Sequence, residues 1–113
     1  MSKYIEEANM RYFLMQEDQL LGTLDSYDSD FPWVYCHFEA QPAFEQIRPL
    51  FEKELAIRPL SGENVDAWNK AYGVIAALKL RFIDETGKRF MADVYPEDLP
   101  PLIHVQDDKA WFR

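Results

Sequence analysis

Apolar and polar residues alternate along much of the first third of the chain, and a period of two is the signature of a half-buried strand. Arg11 to Gln16 and Gln19 to Asp25 are apolar-rich runs joined by Glu17-Asp18. They predict a hairpin, although those two turn residues are not the favoured ones. Ser26 to Asp30 is polar and reads as a turn, since Asp and Ser side chains bond the local backbone. Trp33 to Ala40 alternates best: Val34, Cys36, Phe38 and Ala40 point one way, and Trp33, Tyr35, His37 and Glu39 the other.

The period then changes. Pro42 suits a first helical turn, and Phe44, Ile47, Phe51 and Leu55 recur at helical spacing. Pro49 lies inside that pattern, where a proline costs roughly 3 kcal/mol, so a kink or two short pieces meeting at Arg48-Pro49 are expected. A second helix carries the stripe Val65, Trp68, Tyr72, Ile75 and Ala76, with Ser61 or Asn64 to cap it. Gly73 within it predicts close packing against a neighbour. Strands return over Leu78 to Asp84 and Arg89 to Tyr95, around a loop in which Gly87 supplies a left-handed residue. After a stiff connection holding Pro96, Pro100 and Pro101, Ile103 to Gln106 and Lys109 to Phe112 predict a last hairpin about Asp107-Asp108.

This order, βββ-αα-ββ(ββ), implies an α+β fold: a mainly antiparallel sheet with two helical segments on one face. No repeat or Gly/Ser-rich linker divides the 113 residues, so residues 1–113 read as a single domain. With 48 % hydrophobic residues and 17 aromatics the chain can build a core without metal or disulfide.

If Val34, Cys36 and Phe38 face the helices, Leu80, Phe82, Phe90, Ala92 and Val94 match them from the later strands. The opposite face then collects Trp33, Tyr35, His37 and Glu39 with Lys79, Arg81 and Ile83, and with Met91, Asp93 and Tyr95. Large aromatics mixed with opposite charges are what interface cores and rims contain. Two blander readings stand beside a binding face. In one, pairs such as Arg81 with Glu39 or Asp93 merely dress a wet sheet. In the other, the segment around Tyr4 and Ile5, or Trp111, folds over it.

Charge narrows the partners. There are 20 acidic against 12 basic residues, a net charge of −8, and residues 1–31 hold seven acids and two bases. That field has the wrong sign for nucleic acid or an anionic membrane, so neither is an expected partner. No apolar run approaches the ~20 residues of a membrane span, and the acids of MSKYIEEANM stand where a leader would be apolar, so the cytoplasm is the expected location.

Candidate chemistry is sparse. Cys36 is the only cysteine, which excludes an intramolecular disulfide and a CxxC pair. Cys36 and His37 leave opposite faces of a strand, and His37 with Glu39 gives only two ligands, so no metal or other cofactor is expected. Asp25 to Asp30 has the acids of a calcium loop but neither its glycine nor its closing glutamate. No nucleophile elbow, phosphate loop or dinucleotide fingerprint occurs, so no catalytic residue is assigned. The enzyme alternative is a hydrolase with His37 as general base, Glu39 or Asp93 orienting it, and Tyr35 and Trp33 as walls.

The stretch YDSDFPWVYCHFEAQPAFEQIRPLF, with the closing DDKAWFR, resembles a family of small single-domain bacterial proteins carrying a YDSDFPW…RPLF pattern. The resemblance implies bacterial origin and brings no activity, cofactor or site residue with it. The expected function is therefore non-enzymatic binding through the face holding Trp33, Tyr35, His37, Arg81, Met91, Asp93 and Tyr95. The partner would be another protein or a second copy, and an immunity-like inhibitor of a basic protein is one version. A small-ligand-binding module is the alternative to the hydrolase.

Overall fold

The computed structural model describes residues 10–30, 33–57, 62–96 and 100–113. Strands β1 (Arg11–Gln16), β2 (Gln19–Asp30) and β3 (Trp33–Ala40) lead into a 3₁₀ turn (Pro42–Gln46). Helices α1 (Arg48–Ala56) and α2 (Val65–Ala76) follow, and then β4 (Arg81–Asp84), β5 (Ile103–Gln106) and β6 (Lys109–Phe112). All six strands join one sheet in the order β4-β1-β2-β3-β6-β5, with every pairing antiparallel. The fold is α+β.

The sheet is strongly rolled. Phe82 on β4 and Phe112 on β6 lie four strand spacings apart in that order, about 19 Å in a flat sheet. Their ring centroids are 4.8 Å apart. Tyr12 and Phe90 close on the same Phe112 ring edge-on, at 5.5 and 5.0 Å. The concave side is thus the core, and Leu14, Leu24, Cys36, Phe38 and Phe112 are buried on it. Phe44 of the 3₁₀ turn and Phe51 of α1, both fully buried, cover one end.

The hairpin turns form as the pattern predicts: Gln16 pairs with Gln19 and Gln106 with Lys109, with Glu17 and Asp107 at φ 54° and 56°. Gly87, at φ 88°, supplies the left-handed residue of its loop. The break in the first helical segment falls at Ile47, one residue earlier than expected. Pro49 then sits in the first turn of α1, where its missing N–H has no partner to lose.

Several expectations are corrected. Ser26 to Asp30 is strand, because β2 continues to Asp30 against β3, with Tyr27 as the extra residue of a bulge. Arg89 to Tyr95 is not a strand: β4 pairs with β1, and beyond the Ile83–Arg89 bridge the chain turns at Met91, φ 45°. Ala92 and Val94 are accordingly exposed, and Lys79 lies before β4 with φ 51°. On α2 the buried stripe is narrow, made of Ala71, Tyr72 and Ile75 beside half-buried Trp68, and Val65 and Ala76 face outward. No atom lies within 4 Å of where a Cβ on Gly73 would stand, so no neighbour packs there. Asn64 begins α2 without a side-chain cap bond to it, and Ser61 lies outside the described residues.

The free edge of β5 meets the helices. The Ile103 N–H, directed away from β6, donates to the Tyr72 hydroxyl at 2.7 Å.

Candidate functional site

Strand register decides which side chains share the convex face. Cys36 and Phe38 point into the core, so Trp33, Tyr35, His37 and Glu39 point out, as expected. Across the β2–β3 ladder Asp30 stands opposite Trp33, Asp28 opposite Tyr35 and Asp25 opposite His37. On the other side Tyr35 pairs with Trp111 and His37 with Lys109. A column of aspartates and a column of aromatic side chains therefore run side by side, bordered by Trp111. Trp33, Tyr35 and Trp111 are half-buried, while His37, Asp28 and Asp30 are exposed.

The bulge explains the position of Tyr27. It is 42 % exposed, and its ring lies 4.4 Å from that of His37. The guanidinium of Arg113 lies over the Trp33 ring, 5.0 Å from its centroid. Arg11 grips Asp25 with Nε at 2.6 Å and Nη2 at 3.1 Å, and this bond holds the Arg11 guanidinium above its ordinary pKa.

Beside the aromatic column, on the β5 edge of the same face, lies a buried polar cluster. His104 on β5 is paired with Trp111, and its ring lies 5.6 Å from both Trp33 and Trp111. It is 1 % exposed. Its Nδ1 stands 3.0 Å from Glu54 Oε2, and Trp68 Nε1 donates to Glu54 Oε1 at 2.7 Å. Helices α1 and α2 are thereby tied to the β5 flank of the convex aromatic group.

The other expected members lie elsewhere. Arg81 and Ile83 share the convex side, because Phe13 pairs with Ile83 and with Thr23, but β1 and β2 separate them from β3. Arg81 therefore cannot pair with Glu39; Arg11 makes the cross-strand ion pair instead, with Asp25. Met91, Asp93 and Tyr95 follow the turn after β4. Met91 and Asp93 line a cleft with Asp84, Lys88 and Arg89. Tyr95 stacks on Phe90 at 6.4 Å. These three do not join the face. His37 has Glu39 two residues along the same strand, but among the described residues no hydrogen bond joins it to Glu39 or Asp93. Tyr4 and Ile5 lie outside the described residues.

Burial pushes the Cys36 thiol up to about 12, with Asp25 adding to the effect, so no thiolate is available there near neutrality. Among the described residues no three His, Cys, Asp or Glu side chains converge as metal ligands. Among the described residues no helix is long and apolar enough to cross a membrane.

Asp25, Asp28, Asp30, Trp111 and the Glu54–His104 pair were not legible as site members from local pattern. The β3–β6 pairing that recruits Trp111 joins residues more than seventy positions apart, and Asp28 and Asp30 lie in a segment whose composition favours a turn. Compared with family models, with curated proteins and with solved structures, the chain finds no match in any of the three.

Proposed function

We propose that this chain is a non-enzymatic protein-binding domain of the cytoplasm whose contact surface is the convex face of β2, β3 and β6. One observation carries the reading: Trp33, Tyr35 and Trp111 sit together, half-exposed, on the convex side of the rolled sheet, opposite its core. Tryptophan and tyrosine give large contact area at small entropic cost and dominate binding energy at interfaces. The buried His104, on the same face and held by Glu54, packs beside the Trp33 and Trp111 rings and fixes them laterally, which favours a preorganised surface. The buried, unpaired Cys36 thiol suits a reducing compartment.

A different protein is the proposed partner rather than a second copy. A two-fold contact through this face would set the aspartate column of one copy near that of the other, and like charges so placed are unfavourable.

The test is a photo-crosslinking amino acid introduced at Tyr35 and, as control, at Val74, which is 49 % exposed on α2. In cells that make the protein naturally, adducts form from position 35, are absent from position 74, and are lost when Trp33→Ala is added. Identical adducts from both positions, or none from position 35, remove the proposal.

A further inference from the structure

Residues 12–47 contain seven acids and not one lysine or arginine, and β2 and β3 both lie within that interval. The centre of the convex face is thus built from strands that carry negative charge only. Asp28 and Asp30 stand on it exposed, and among the described residues no base pairs with either. Each faces an aromatic ring directly across the ladder, Tyr35 and Trp33 respectively. A carboxylate beside an aromatic face is the combination that suits a guanidinium. The ion donates hydrogen bonds from its edge to the carboxylate and lays its plane against the ring's negative face.

The chain itself uses both halves of that arrangement with its own arginines, which come from outside the interval. Arg11 engages Asp25 through two nitrogens, and Arg113 lies over Trp33. Resting on the interaction face proposed above, we infer that its partner presents an arginine-bearing segment that runs along β2 and β3, its guanidinium groups pairing with Asp28 and Asp30 beside Tyr35 and Tyr27. Arg113 already covers the Trp33 ring, and Lys109, opposite His37 on β6, repels such a segment and keeps it toward β2.

The experiment is an amide-resonance and tryptophan-fluorescence titration with a short peptide alternating arginine and glycine. Peptides in which lysine or glutamate replaces arginine serve as comparisons. The arginine peptide shifts resonances of β2 and β3 and binds more tightly than the lysine peptide, and the glutamate peptide has no effect. Asp28→Asn with Asp30→Asn weakens binding about tenfold, the loss of roughly 1.4 kcal/mol. Glu52→Gln with Glu63→Gln removes the same charge from exposed positions on the helical side and changes binding less than about twofold. Equal weakening by the two pairs, shifts centred on the helices, or no preference for arginine overturns the inference. If position 35 crosslinks a native partner while the arginine peptide leaves the spectrum unchanged, the interaction face stands and its cationic partner falls. If both fail, both fall.

Discussion

His104 Nδ1 stands between the two carboxylate oxygens of Glu54, 2.9 and 3.0 Å away, with both side chains closed off from water. That contact joins β5 to α1, and Trp68 extends it to α2 by donating to Oε1 of the same carboxylate. Burying such groups is costly unless each finds a partner, so the pair serves register and specificity more than raw stability.

Glu54→Ala leaves His104 Nδ1 and Trp68 Nε1 without this acceptor. A loss of about 3–5 kcal/mol is expected in urea unfolding, with Trp68 emission altered in the folded baseline. Glu54→Gln keeps an acceptor and loses less. A Glu54→Ala protein as stable as the parent would show that the contact holds nothing in place.

Two glycines respond in opposite directions. A Cβ at Gly22 would stand 2.5 Å from Phe38 Cε1 and 2.7 Å from the Glu39 carbonyl oxygen, the latter backbone that cannot yield easily. Gly22→Ala therefore destabilises by about 1–3 kcal/mol through overpacking. Gly73 lies in α2 with open space around it, and Gly73→Ala stabilises by about 0.5–1 kcal/mol through helix propensity. Thermal unfolding of the two variants checks both signs.

Asp84 Oδ1 accepts the Thr86 hydroxyl at 2.6 Å, the Thr86 N–H at 2.9 Å and the Lys88 N–H at 3.0 Å. The Thr86 hydroxyl bond first, then the backbone bonds, hold its carboxyl below the ordinary value. A depressed acid contributes stability above its unfolded pKa and loses it as pH falls through the folded one. Asp84→Ala is therefore expected to lower the urea midpoint at neutral pH and to have a vanishing effect once the solution is more acidic than the folded group's pKa. An equal effect at both pH values would contradict the loop bonds.

Cys36 is fully buried, with its thiol raised to about 12. A disulfide reagent at neutral pH reacts with it only after unfolding, so the modification rate follows the unfolding equilibrium in denaturant. Fast modification of the native protein would refute the inward orientation of β3.

The β1–β2 hairpin and the faces of β3 were legible because alternation is a local property and the register of a half-buried strand follows from it. The same reasoning failed at Phe90, Ala92 and Val94, which alternate equally well. A strand needs a sustained ladder: β1 takes one edge of β4, and on the other edge pairing begins at the Ile83–Arg89 bridge and the Phe90 N–H to the Phe82 carbonyl, but the chain turns at Met91 and leaves it. Asp28 and Asp30 depart from the local pattern for the converse reason: their turn preference is overridden by the ladder to Tyr35 and Trp33. The convex face was half visible, as Trp33, Tyr35 and His37. Its other half depends on pairing between distant segments, to which no local period refers.

The hydroxyl of Tyr72, set against the Ile103 amide, has an effect beyond this molecule. An unpaired amide along an outer strand is an invitation to a stray chain, the first rung of a growing fibre. Here the rung is taken by a phenol from the molecule's own helix, so exchanging Tyr72 for phenylalanine would unlatch that rung and speed thioflavin-positive assembly in concentrated solution.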